Sequence, residues 1–285
     1  MLKEYIKSPL NYTGGKYKIL DNIISQLPNN INTFIDAFGG GFNVGINVSA
    51  NKIIYNDHIV YLKEMFQFFR DTDSEIIFND IKKIISDYNL SNENNEGYLM
   101  LREDYNTNKN ILFLFVLTCF SFNHQIRFNN QHKFNTPFGK KRSSYNLTIE
   151  SNLFDFINNL KSKNIEFYSK DFSFIRECDL KANDFVYCDP PYLISNASYN
   201  DGKRGFKNWT QNEDLELLKL LDELNNKNVR FLLSNVLEHK GETNDNLIQW
   251  SKKYNVKKID KNYNNCNYQL KNKTSDTQEV IIYNY

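Results

Sequence analysis

Four short apolar runs in this chain each lead into an aspartate: "TFID" at Asp36, "KIIYND" at Asp57, "IEFYSKD" at Asp171 and "FVYCD" at Asp189. Runs of this length, rich in β-branched and aromatic residues, read as buried strands. Stretches with apolar residues at helical spacing lie between or beside them, among them "KYKILDNIISQL", "IVYLKEMFQFFRD" and "NEDLELLKLLDEL". "RFLLSNV" and "EVIIYNY" supply two further strands. Buried strands alternating with helices specify an α/β fold: a parallel sheet with helices on both faces. Ligands bind beyond the carboxyl ends of such strands. Acids from four separate strands are therefore expected to meet in one cleft.

Composition narrows the function classes. The 285 residues carry a formal net charge of +1, so any surface for a polyanion has to be local. Local basic runs exist at "FGKKR" and "DGKRGFK". Cys119, Cys178, Cys188 and Cys266 form no CxxC pair, and no His/Cys spacing suits zinc, so no metal is expected. Scattered thiols point to a reducing, cytoplasmic setting. The opening residues lack a signal-peptide core. The most apolar segment, "ILFLFVLTCFSF", is too short to span a bilayer.

The run "DAFGGGF" follows the first strand. Glycines such as Gly39 and Gly40 let backbone approach a ligand closely. A tight turn needed only for packing would look the same, but the second strand adds an acid. Asp57 lies about 20 residues beyond the glycines, the placement that accepts hydrogen bonds from ribose hydroxyls. The full GxGxxG pyrophosphate fingerprint is absent, so a nucleoside without phosphates fits better than NAD. S-adenosylmethionine is such a molecule.

"CDPPY" ends the fourth strand. Two prolines cannot continue it, and they fix a rigid turn. Suppose that a planar amine must be methylated: one such as the exocyclic amine of adenine is a poor nucleophile, because its lone pair is delocalised into the ring. Acceptors at its two N–H bonds favour a pyramidal nitrogen. Asp189 offers a carboxylate oxygen, Pro190 a backbone carbonyl held by the Pro191 ring, and Tyr192 a face on which the base stacks, worth roughly 1–3 kcal/mol.

Together "DPPY", "DAFGGGF" and the N-terminal "NYTGGK" resemble the Dam-like (alpha group) DNA adenine-N6 methyltransferases, in that family's order and over nearly the whole chain. The resemblance implies a Rossmann-like methyltransferase sheet. Its catalytic and cofactor-binding parts would be residues 1–71 and 150–285. An inserted, mainly helical target-recognition region with a β-hairpin would occupy 72–149, with helices around 75–88 and 98–122. It further implies that Tyr12, Gly14, Gly15 and Lys16 help hold the methionine end of S-adenosylmethionine. Asp36, Phe38 and Gly40 would form the cofactor loop, Asp57 would take the ribose, and Asp171 and Phe172 would lie beside the cofactor adenine. Ser234 to Val236 would wall the base pocket. One departure stands out: Phe42 occupies the place of the family's second loop glycine.

The resemblance also makes double-stranded DNA the partner, and admits a restriction endonuclease acting on the same site. A base inside a duplex must be flipped out to react, at a cost of roughly a few kcal/mol. The segment "FNHQIRFNNQHKFNTPFGKKR" reads as the recognition hairpin. Within it Asn123, Arg127, Phe128 and Asn129 match the family's pattern. Arg127 is suited to guanine and Gln125 to adenine, Phe122 to the gap left by the flipped base, and Lys140, Lys141 and Arg142 to phosphates. Lys203, Arg204 and Lys207 are candidate phosphate contacts, with a solvated loop as the equal alternative. His124-Gln125 stands where GATC-reading members have Gly-Leu, so GATC is not assumed.

Three other readings compete: an RNA adenine-N6 methyltransferase, a sequence-specific DNA-binding protein with a vestigial cofactor site, and a NAD oxidoreductase. The base-reading segment favours duplex DNA over RNA. The intact Asp189–Tyr192 motif speaks against the second, and the missing pyrophosphate fingerprint against the third.

Overall fold

The computed structural model describes residues 5–194, 209–259 and 277–285. A 3-10 turn at Tyr17–Ile19 runs into the short helix α1 (Leu20–Ile24). Strands β1 (Thr33–Asp36) and β2 (Lys52–Asn56) follow, and α2 (Val60–Asp71) packs back on them. Three helices come next: α3 (Ser74–Asp87), α4 (Asn95–Asn108) and α5 (Ile111–Phe120). The helix expected over 98–122 is thus two. Lys109 takes a left-handed conformation (φ 57°) at the break, and the Asn110 side chain caps α5 by accepting from Leu112 N and Phe113 N. Apolar spacing runs through both helices and conceals the joint.

After the recognition segment, α6 (Leu147–Ser162) leads to β3 (Ile165–Tyr168) and β4 (Phe185–Cys188). The chain then continues through α7 (Gln211–Asn226), β5 (Arg230–His239), β6 (Glu242–Thr243), α8 (Asp245–Ser251), β7 (Asn255–Lys258) and β8 (Thr277–Tyr283). The strand order is β3-β2-β1-β4-β5-β8-β7, with β6 on β5. From β3 to β5 every pairing is parallel, as expected. β8 breaks the pattern: it runs antiparallel to both β5 and β7. A strand that returns antiparallel needs no crossover helix.

Alternate side chains along each strand feed two cores, as the two-residue strand period requires. Phe34 and Tyr187 enter one, together with Ile23, Phe66, Ile81, Leu101, Phe115 and Phe156 from α1 to α6. Ile35 and Val186 enter the other, with Leu217 and Leu221 of α7 and Leu247 and Trp250 of α8. Residues 72–149 therefore share a continuous core with the sheet. The sequence turns from one side of β1 to the other between β3 and β4. That switch point opens a crevice at the carboxyl ends of β1 and β4.

Among the described residues, no helix is long and apolar enough to cross a membrane. Cys119, Cys178 and Cys188 are free thiols; Cys266 lies outside the described residues.

Candidate active site

The strand-end acids converge. Asp36 is the last residue of β1 and Asp189 follows β4, on either side of the switch point. Tyr12, Gly14, Gly15, Lys16, Asp36, Phe38, Gly39, Gly40, Asp57, Asp171, Phe172 and Asp189 all line one open cleft of about 990 Å³, its mouth included.

The floor is built by backbone and polar side chains of the strand ends. Asn56 donates through Nδ2 to the carbonyls of Ala37 and Lys170, both at 3.0 Å, and accepts from Lys170 N, which fastens the ends of β1, β2 and β3 together. Asp57 accepts from Gly40 N at 2.8 Å and Ile59 N at 2.9 Å, so it shapes the glycine turn as well as facing the cleft. Gly40 has φ 48°, and a Cβ there would lie 3.1 Å from the Tyr12 ring. The turn thus needs glycine for both its conformation and its contact.

Phe42 also takes a left-handed conformation (φ 60°). Its ring leaves the cleft for the core, where it packs against Tyr55, Phe66, Phe156 and Phe167. Gly45 makes this possible, since a Cβ there would stand 2.3 Å from the Phe42 ring. The departure from the family loop therefore places a core side chain and leaves the ligand space open.

Asp36 is buried. Its Oδ2 accepts from Gly45 N at 3.0 Å, while its Oδ1 has no hydrogen-bond partner. Burial pushes its carboxyl up to about 8, against the pull of the Gly45 N–H, and the Asp189 and Asp57 charges push the same way. A buried, half-satisfied carboxyl at a cleft wall suits a cationic or N–H-bearing ligand group.

Asp171 lines the cleft but does not end a strand. β3 ends at Tyr168, and Asp171 instead caps the 3-10 turn Phe172–Glu177 by accepting from Ser173 N. Phe172 from that turn joins Phe38 and Trp209, with all three ring separations between 5.6 and 5.7 Å. They make an aromatic wall.

At the opposite end stands the Asp189–Tyr192 motif. Lys16 Nζ lies 2.7 Å from Asp189 Oδ2, donates to Gly14 O at 2.9 Å, and sits 5.1 Å over the Tyr192 ring. The Tyr192 hydroxyl reaches Asp189 Oδ1 at 3.1 Å and Glu279 Oε1 of β8 at 3.3 Å. Burial raises the Asp189 carboxyl, and the Lys16 ammonium opposes the rise. Pro190 is buried and Pro191 faces the cleft. On β5, the Ser234 hydroxyl meets the Tyr187 hydroxyl at 3.0 Å.

Sequence reading missed Asn56, Trp209, Glu213 and Glu279. Of these, Glu213 alone left a local signal: Thr210-x-x-Glu213 is a capping box at the start of α7.

The recognition segment folds back through two isolated antiparallel bridges, Ser121↔Phe138 and Phe128↔Phe134, rather than a continuous hairpin ladder. Asn129 explains its shape: Oδ1 accepts from Gln131 N and Lys133 N, closing a turn and leaving only the amide nitrogen for a base. Phe128 is buried against Tyr61 and Phe134. Phe122, Asn123, Arg127, Lys140, Lys141 and Arg142 are exposed. Arg127 Nη2 donates to Gln125 Oε1 at 2.6 Å, so these two side chains form one unit. Asn11 Nδ2 donates to Asn123 O at 2.8 Å, tying the segment to the loop whose next residue, Tyr12, lines the cleft. Lys203, Arg204 and Lys207 lie outside the described residues. Among the described residues, no cluster of His, Cys, Asp or Glu could hold a metal ion.

A mainly parallel sheet flanked by helices, with an open cleft at its switch point, defines a Rossmann-like α/β protein. Residues 12–276 match the family model of the D12 class N6 adenine-specific DNA methyltransferases, and the chain belongs to that family. It is 47% identical over 281 residues to the type II methyltransferase M.FokI of Planomicrobium okeanokoites, covering 99% of this chain and 43% of that protein. It is likewise 47% identical over 285 residues to the modification methylase StsI of Streptococcus sanguinis, again 99% of this chain and 43% of that protein. The chain thus spans less than half the length of these two relatives. The DNA adenine methylase of Escherichia coli strain K12 is more distant, 26% identical over 233 residues and 79% of each chain.

Proposed function

We propose that this chain transfers a methyl group from S-adenosylmethionine to N6 of a flipped-out adenine in a short duplex DNA sequence. The observation that carries the reading is the shared cleft. A rigid Asp189–Tyr192 corner faces a pocket whose far walls are the glycine turn, Asp36 and an aromatic cluster.

The residues fit the cofactor. Asp36 Oδ1 suits the methionine ammonium, Asp57 stands where ribose hydroxyls would reach it, and Phe38, Phe172 and Trp209 offer faces to an adenine. When bound, the cofactor supplies an electrophilic methyl group on its sulfonium. Everything else falls to the protein. Asp189 accepts one N–H of the target amine and is the nearest base for the proton that nitrogen must lose. The Pro190 carbonyl, fixed by the Pro191 ring, accepts the other N–H. Tyr192 stacks on the base, and Lys16 opposes the rise that burial imposes on the Asp189 carboxyl.

Arg127, Gln125, Asn123 and the Asn129 amide are the base-reading candidates; Lys140, Lys141 and Arg142 bind phosphates, and Phe122 fills the vacated stack. Residues 72–149 act as the target-recognition region, and Lys203 and Arg204 add phosphate contacts. The names of two similar proteins, a type II methyltransferase and a modification methylase, favour a role in DNA modification; a cytoplasmic setting and a restriction endonuclease acting on the same site belong to this reading.

The test is single-molecule sequencing of DNA from a methylation-deficient bacterium expressing the chain. N6-methyladenine in one short motif is expected, and none with Asp189→Ala. A folded chain that binds S-adenosylmethionine yet leaves adenine unmodified in duplex DNA would overturn the reading.

A further inference from the structure

We propose that Glu279 is a positioning residue for the reaction: it draws the Tyr192 hydroxyl proton away from Asp189 Oδ1 and so frees that oxygen for the substrate N–H. The inference rests on the methyltransferase reading given above.

The argument begins with a proton count. Among the described residues, the Tyr192 hydroxyl, with its one proton, reaches two carboxylates, Asp189 Oδ1 at 3.1 Å and Glu279 Oε1 at 3.3 Å. It can donate fully to one of them at a time. Asp189 Oδ2 is already held by Lys16 at 2.7 Å. With Tyr192 donating to Oδ1 as well, both oxygens would carry a donor before any adenine arrived. A carboxylate oxygen that already takes one hydrogen bond is a weaker acceptor for the next. With Tyr192 donating to Glu279, Oδ1 faces the substrate with its acceptor strength intact.

The placement of Glu279 supports a role beyond packing. It is only 2% exposed, on a strand whose next residues Val280, Ile281 and Ile282 are apolar and buried. Its cross-strand partner is Val236. Burying a carboxylate is costly unless its hydrogen bonds are met inside the protein. An apolar residue would pack there more cheaply. The Glu279 charge also pushes the Asp189 carboxyl upward, so the two acids sense each other directly. That mutual repulsion further favours a proton held between them, and Tyr192 is the group that carries one.

The test is a double-mutant cycle on the full chain, using Glu279→Gln and Tyr192→Phe. Single-turnover methyl transfer is measured on genomic DNA from a methylation-deficient bacterium, with affinities for that DNA and for S-adenosylmethionine measured in parallel. Glutamine keeps the shape and removes the charge. In the Tyr192 background Glu279→Gln should slow transfer by about 10-fold, the size of one weakened hydrogen bond, with both affinities held within about twofold. In the Tyr192→Phe background no proton is contested, and the same change should cost less than about twofold. Equal losses in both backgrounds would overturn the proposal and make Glu279 a packing residue. Should Glu279→Gln fail to fold, Glu279→Asp, which keeps the charge and withdraws it from Tyr192, takes its place in the same cycle. A wild-type chain that transfers no methyl group would instead sink the underlying function, an outcome distinct from either result of the cycle.

Discussion

Lys16 Nζ lies 2.7 Å from Asp189 Oδ2 and 5.1 Å above the ring of Tyr192, so one ammonium group serves both ends of the Asp189–Tyr192 motif. Lys16 comes from the N-terminal loop and Asp189 from the end of β4. Their pairing ties that loop to the end of β4 at the wall of the cleft and supplies the countercharge that burial of Asp189 demands.

Replacing Lys16 with Met removes that countercharge. Burial already raises the Asp189 carboxyl and Lys16 opposes the rise, so its loss raises the carboxyl further. If transfer needs ionised Asp189, activity should fail at a higher pH than in the parent. The acidic limb of the rate–pH profile should move upward, with transfer at neutral pH reduced by about 10-fold or more. An unmoved limb would show that Lys16 does not govern the charge of Asp189.

Asp36 makes a prediction about stability. Its folded carboxyl is pushed up to about 8 by burial, whereas an unfolded aspartate ionises near ~4. Between those values the folded state retains a proton that the unfolded state has released. Stability therefore falls as pH rises through that window and levels off above it. Asp36→Asn cannot titrate, and its amide oxygen can still accept from Gly45 N. The variant should melt at a higher temperature than the parent at pH 8, by ~2 °C or more for each ~1 kcal/mol gained, while binding S-adenosylmethionine more weakly. Thermal melts across pH and a binding titration check both halves.

Phe42 pits backbone strain against core volume. Phe42→Gly would relieve a left-handed φ of 60° but empty a space between Tyr55, Phe66 and Phe156. The cavity and transfer cost of losing a buried ring exceeds the relief, leaving a net loss on the order of 2 kcal/mol in urea denaturation. A stabilised variant would mean that the ring is dispensable.

Trp209 should report cofactor binding. It lines the cleft beside Phe38 and Phe172, whereas Trp250 lies away from it against Phe231 and Tyr254. S-adenosylmethionine should change tryptophan emission in the parent and in Trp250→Phe, and leave Trp209→Phe unchanged. A response that follows Trp250 would place the ligand elsewhere.

How much of this was legible in the sequence depends on whether a residue's neighbours are local. Asp36, Asp57 and Asp189 could be read because each sits at the end of an apolar run, and strand ends gather at one edge of a parallel sheet. Asp171 was read as a strand end too, yet it caps a 3-10 turn three residues past β3. An acid after a strand and an acid before a turn look alike in sequence. Helices α4 and α5 merged because helical spacing does not register a single left-handed residue such as Lys109.

Glu279 was not legible at all. In "TQEVIIY" it looks like the solvent-facing member of an edge strand. Only the antiparallel insertion of β8 between β5 and β7 buries it and turns it toward Tyr192. The recognition segment could be located by its polar and basic residues. Its shape, set by the Asn129 turn and the buried Phe128, could not.

The place of β8 in the sheet has a consequence in time. β5 ends at His239 and its partner begins at Thr277. On a ribosome adding about 5–20 residues per second, several seconds pass after β5 emerges before β8 can cover it. For that interval the nascent sheet presents a long, apolar, unpaired border, with only the two-residue β6 against it, and the proton-sharing tyrosine has no glutamate beside it. Whatever guards the growing chain has to shield that border until its late-made partner arrives.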